Sequence, residues 1–60
     1  MDINKIITTQ DEARQYAIDW QKWVADQNLF YGELAEWQYK LAELAKRFDL
    51  TEEFEENGII

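Results

Sequence analysis

The side chains able to do chemistry in this chain are carboxylates and aromatic rings, and the most distinctive arrangement of them occurs twice. Residues 19–26 read DWQKWVAD and residues 36–43 read EWQYKLAE. Each copy runs acid, Trp, Gln, two variable positions, branched aliphatic, Ala, acid. Paired tryptophans could stack ligand rings or anchor a partner. The alternative is that Trp20 with Val24, and Trp37 with Leu41, are i, i+4 members of two helical core stripes, and aromatic stripes at helical spacing are ordinarily core. The acidic run Glu52-Glu53-Phe54-Glu55-Glu56 does not match a calcium loop, which spaces its oxygens around a sharp turn. It reads as a solvated helix face with acids near the helix N-terminus. Asp19, Glu36, Glu43 and Asp49 could serve as acids or bases only inside a pocket, and all four fall on predicted exposed faces. The chain has no Cys and no His. Disulfides, zinc sites with nitrogen or sulfur ligands, thiol nucleophiles and imidazole bases are therefore excluded. A non-catalytic protein with no cofactor and no metal is expected.

Sixty residues make one domain, and a chain this short buries only about 60% of its unfolded surface. Without disulfide or metal, its stability must come from dense aromatic packing or a partner subunit. Three Trp, three Tyr and three Phe supply the aromatic content. A formal charge of −7 opposes direct contact with nucleic acid and with anionic membranes, both of which need Lys and Arg. The opening MDINKIITT lacks the basic start and apolar core of a secretory signal, and no apolar run is long enough to span a bilayer. A cytoplasmic protein is expected.

The elements that must position these groups follow from periodicity and caps. Thr9-Gln-Asp-Glu12 reads as a capping box. From there Ala13, Tyr16, Ala17, Trp20, Trp23 and Val24 fall on one face of a helix predicted over 9–28. Leu34, Trp37, Leu41, Leu44 and Phe48 alternate steps of three and four along a second helix over 31–48. Glu36 with Lys40 and Glu43 with Arg47 are spaced as i, i+4 ion pairs. The short connection favours an antiparallel hairpin in which facing positions sum to about 58–60. Trp20 then lies within a turn of Trp37, Trp23 opposite Leu34 and Trp37, and Tyr16 opposite Leu41 and Leu44. Gln21 and Gln38 point off the stripes toward water. Thr51 can cap a short helix over 51–57 that Asn57-Gly58 stops, with Ile59 placed for the apolar contact of a C-terminal cap. The N-terminal residues 1–8, with Ile3, Ile6 and Ile7, form either one helical turn or an extended arm. The fold class is all-α: an antiparallel helical hairpin plus a short C-terminal helix, completed by homodimerisation.

A second, weaker apolar face remains. Ile18 and Ala25 on the first helix, and Ala35, Tyr39, Ala42 and Leu50 on the second, lie about 100–160° from the main stripes. This face is expected to be covered partly by the terminal segments and partly by self-association, with Ile18, Ala25, Ala35, Tyr39 and Ala42 as the interface. The two motif copies differ informatively: Trp23 is matched by Lys40, core against surface, while Lys22 is matched by Tyr39, an aromatic that the hairpin core does not explain.

YGELAEWQ at 31–38 and LTEEFEENGII at 50–60 resemble parts of short acidic proteins of Gram-positive bacteria, their phages and integrative elements. The resemblance covers about the C-terminal half and implies a bacterial cytoplasmic setting and an accessory role in a mobile element. The function expected is a small protein–protein interaction module, a homodimer without direct nucleic-acid or membrane binding. The alternative is an acidic inhibitor that imitates nucleic acid and occupies a DNA-binding protein.

Overall fold

The computed structural model describes all sixty residues, Met1–Ile60. Three helices follow one another: α1 (Gln10–Ala25), α2 (Tyr31–Arg47) and α3 (Thr51–Glu56). There are no strands. The fold is an all-α antiparallel hairpin with a short C-terminal helix.

Each long helix forms half of a capping box. Thr9 Oγ1 accepts the Glu12 N–H at 3.1 Å and starts α1. The Glu12 carboxylate does not reach back to the Thr9 backbone and instead accepts the Thr8 hydroxyl at 3.0 Å. At α2 the roles divide the other way: Glu33 accepts the Phe30 N–H at 3.2 Å, and Phe30 has no side-chain acceptor to return. Helix α1 stops at Ala25, short of the expected residue 28. The Asp26 and Gln27 N–H groups reach Trp23 O and Val24 O, three residues back, at 3.2 and 3.1 Å. That i→i−3 tightening closes the last turn.

The hairpin holds the predicted level. Gln10 Nε2 donates to Phe48 O at 3.0 Å, and the Trp23 and Trp37 rings lie 5.4 Å apart. Two segments then cover its opposite sides. Arg14 and Gln21 on one flank of α1 bond α3 and the residues after it. Tyr16 on the other flank donates to Asp2 O at 2.6 Å, and Lys40 of α2 donates to Lys5 O at 3.2 Å. Residues 1–8 thus lie as an irregular arm, not a helical turn, pinned by two side chains and by buried Ile7. The core is a single cluster in which Leu50, Phe54 and Ile59 close one side of the hairpin and Ile7 the other.

The corners around α3 repeat one device. After α3, Gly58 takes φ +71°, the Ile59 N–H bonds Phe54 O at 2.8 Å and the Gly58 N–H bonds Glu55 O at 3.1 Å. This is a Schellman cap, and its apolar pair Phe54 and Ile59 is buried. After α2 the left-handed residue is Asp49, φ +58°, and the Leu50 N–H bonds Ala45 O at 2.7 Å. Leu50, not Thr51, is the N-cap of α3, and no side chain caps that helix. Burying Leu50 takes precedence over a hydroxyl cap. Asp49 is disfavoured twice, by its left-handed backbone and by a carboxylate at the negative end of α2. Asp49→Gly is expected to raise stability by about 0.5–1 kcal/mol, and Asp49→Ala, which keeps the Cβ, by less. Thermal unfolding followed by circular dichroism measures both; a fall in the glycine variant would show that the Asp49 side chain serves the fold.

Candidate functional site

The doubled motif supplies the centre of the core. Trp37 packs against three aromatic rings, with centroids 6.2 Å from Tyr16, 6.4 Å from Trp20 and 5.4 Å from Trp23. Trp20 and Trp37 are buried, and the Trp20 indole N–H has no acceptor.

Several neighbours of the motif depart from their expected places. Gln21 is half-buried, and its amide donates to Asn57 O at 3.0 Å, tying α1 to the residues after α3. Gln38 is exposed. Lys40 is half-buried because its ammonium is drawn to the arm carbonyl of Lys5, so the expected pair with Glu36 does not form. Arg47 lies over the Phe48 ring at 5.6 Å and makes no ion pair with Glu43. Trp23 is only half-buried. Its outer side borders a cleft of about 470 Å³ between the arm and α1, with Asp2, Lys5, Glu12 and Asp19 around it.

The second apolar face is divided. Leu50 is in the core. Ile18 and Ala25 are exposed on α1, on the flank that Arg14 and Gln21 bond to α3 and its tail. Ala35, Tyr39 and Ala42 are exposed on α2. Tyr39, 76% exposed, and Ala42 share a second cleft of about 320 Å³ with Glu43, Lys46, Thr51 and Ile60. Ile18, Ala25 and Ala35 do not line it. The same pattern reading overlooked the hairpin tip, where Phe30 is 80% and Tyr31 88% exposed. Helical periodicity flags Tyr31, which falls about 90° off the Leu34, Trp37 and Leu41 stripe, whereas Phe30 is in line with that stripe and is exposed as the extended N-cap of α2.

Eight of the nineteen charged side chains form hydrogen bonds or ion pairs within the chain. Arg14 Nε donates to Glu53 at 2.7 Å and its Nη1 to Asp11 at 3.1 Å. The hydrogen bond and charge of Glu53, more than Asp11, hold the guanidinium firmly protonated. Burial, and secondarily the charge of Asp2, push the Tyr16 phenol above its ordinary pKa. Asp19 accepts the Gln15 amide at 2.9 Å. No three acidic side chains are placed to hold a metal ion together. No helix is long and apolar enough to cross a membrane. Comparison with protein-family models, with curated proteins and with solved structures finds no match for this chain.

Proposed function

We propose that this chain is a small non-catalytic protein–protein interaction module that self-associates through the outer face of α2. The observation that carries this reading is Tyr39, an aromatic side chain that is 76% exposed at the mouth of a cleft it shares with Ala42 and Ile60. Tyr31, Ala35, Tyr39, Ala42 and Lys46 fall within an arc of about 80° on α2, turned away from the core stripe. Aromatic side chains are among the residues that interfaces use as anchors. The resemblance of residues 31–38 and 50–60 supports a bacterial cytoplasmic setting and an accessory role in a mobile element.

Imitation of nucleic acid is the less supported reading. Of the thirteen acidic residues, six already accept hydrogen bonds within the chain: Asp2, Asp11, Glu12, Asp19, Glu33 and Glu53. Their positions answer to caps and ties rather than to a phosphate row.

Sedimentation velocity from low micromolar to about 1 mM tests the proposal. The native chain is expected to shift from monomer toward dimer. Tyr39→Glu should remain monomeric with unchanged helicity, because a charge there must be desolvated on association but not on folding. If Tyr39→Glu unfolds the monomer, Tyr39 is core and the proposal fails.

A further inference from the structure

The stripe that rises along α2 has a symmetry of its own. Ala35, Tyr39, Ala42 and Lys46 are spaced four, three and four apart, a pattern that reads the same in either direction. A second α2 laid antiparallel, with its midpoint between Lys40 and Leu41, therefore puts each of these four residues opposite another, while Tyr31 on the same arc falls level with residue 50, past the end of the partner's α2. Tyr39 faces the partner's Ala42, and Ala35 faces the partner's Lys46. Large side chains meet small ones, as close helix packing requires. Other arrangements lose part of this match. A parallel pairing in register stacks Tyr39 on Tyr39 and Lys46 on Lys46. An antiparallel pairing slid one heptad toward the hairpin tip keeps Tyr39 opposite a small residue, Ala35, but carries Lys46 past the end of the partner's helix, opposite Asn28, and away from Glu36.

Two further observations agree with this register. The cleft of about 320 Å³ lies at the level of Ala42, walled by the chain's own Tyr39 and by Glu43, Lys46, Thr51 and Ile60, which is where the partner's Tyr39 ring would enter. Glu36, Glu43 and Lys46 are exposed and make no ion pair within the chain, since both ion pairs of the fold belong to Arg14. In the antiparallel register Lys46 stands beside its own Glu43, one turn away, and beside the partner's Glu36. It bridges two carboxylates that would otherwise repel, and the two-fold axis repeats the arrangement.

We infer that α2 docks on a second copy of this chain, antiparallel about a two-fold axis between Lys40 and Leu41, with Tyr39 seated in the partner's cleft and Lys46 paired to the partner's Glu36. The inference rests on the self-association proposed above and specifies its geometry.

A charge exchange tests it by sedimentation equilibrium, with circular dichroism confirming that each variant folds. Glu36→Lys sets Lys against the partner's Lys46, and Lys46→Glu sets Glu against the partner's Glu36. Each alone is expected to weaken the dimer about tenfold. Glu36→Lys also reduces the overall repulsion between two acidic chains, so weaker association of that variant reports the local contact. An equimolar mixture of the two restores both opposite-charge pairs at the total charge of the native dimer, and is expected to associate within about threefold of it. The size exchange is independent: Tyr39→Ala should lose association, and Tyr39→Ala combined with Ala42→Tyr should regain it with ring and small residue interchanged. A native chain that stays monomeric to about 1 mM overturns self-association and this register together. A native dimer whose charge variants associate as tightly as it does, or whose mixture fails to recover, overturns the register alone.

Discussion

Trp37→Ala is expected to leave most of the chain unfolded at 25 °C. A single core in a chain this short rarely supplies more than about 3–5 kcal/mol of net stability, and truncating a buried Trp to Ala costs about 3–5 kcal/mol. Trp37 belongs at the upper end of that range. It is 6% exposed, and it is the ring on which Tyr16, Trp20 and Trp23 all converge. Removing it separates the aromatic faces of α1 and α2 at once. Trp37→Phe and Trp20→Phe provide the graded comparison. Trp20 carries a buried N–H without an acceptor, a penalty of about 1–3 kcal/mol that a Phe would not incur. Loss of ring volume at Trp20 is thereby partly offset, so Trp20→Phe should be the milder of the two. Urea unfolding followed by far-ultraviolet circular dichroism measures all three. A cooperative transition for Trp37→Ala with a midpoint near the native one would show that the ring cluster does not hold the hairpin together.

The same cluster shows what one-dimensional pattern can and cannot convey. Residues packed between two helices repeat every three or four positions, so Trp20, Trp37, Leu41 and Leu44 announce their burial, and a short connection fixes how the two stripes face each other. The bounds of α2 followed from the same stripes and the end of α3 from the Gly58 stop, while the N-cap of α3 is Leu50 rather than the expected Thr51. What pattern did not convey depends on which distant segment arrives where. Gln21 looked like a water-facing residue because nothing nearby says that the Asn57 carbonyl will come to it. Lys40 looked like half of a helix-surface ion pair until the arm brought it the Lys5 carbonyl. Trp23 belongs to the apolar stripe yet stays half-buried, since the arm covers only part of that flank. Asp49 in a left-handed turn is legible only in hindsight, because the usual marker of such a corner is Gly. The second apolar face was visible as residues but not as a surface. Burial of Leu50, and the packing of α3 on α2 with side-chain ties to α1, leave Tyr39 and Ala42 sharing a cleft while Ile18 and Ala25 remain on another helix.

Phe54→Ala is the second large effect, and it separates the fold from the interface. Six residues are too few for a helix to persist alone in water, so α3 exists because its apolar side is buried. Phe54 is 1% exposed and the largest fully buried side chain of the chain. Its Schellman partner Ile59 and the corner residue Leu50 enter the same cluster as Leu41 and Ala45. The substitution should cost about 3–5 kcal/mol. Tryptophan fluorescence, which reports the hairpin, and far-ultraviolet circular dichroism should fall in one transition, because α3 closes a side of the core that the hairpin cannot close itself. If fluorescence kept the native midpoint while a small part of the helical signal was lost, α3 would be a separately melting unit. Undocking α3 also removes Thr51 and Ile60 from the wall of the cleft beside Tyr39, so the proposed dimerisation should disappear together with stability. Tyr39→Glu predicts the opposite combination, lost association on an intact fold. Finding the two effects uncoupled in one variant and coupled in the other would show that association belongs to the outer face of α2 and does not arise from exposed core.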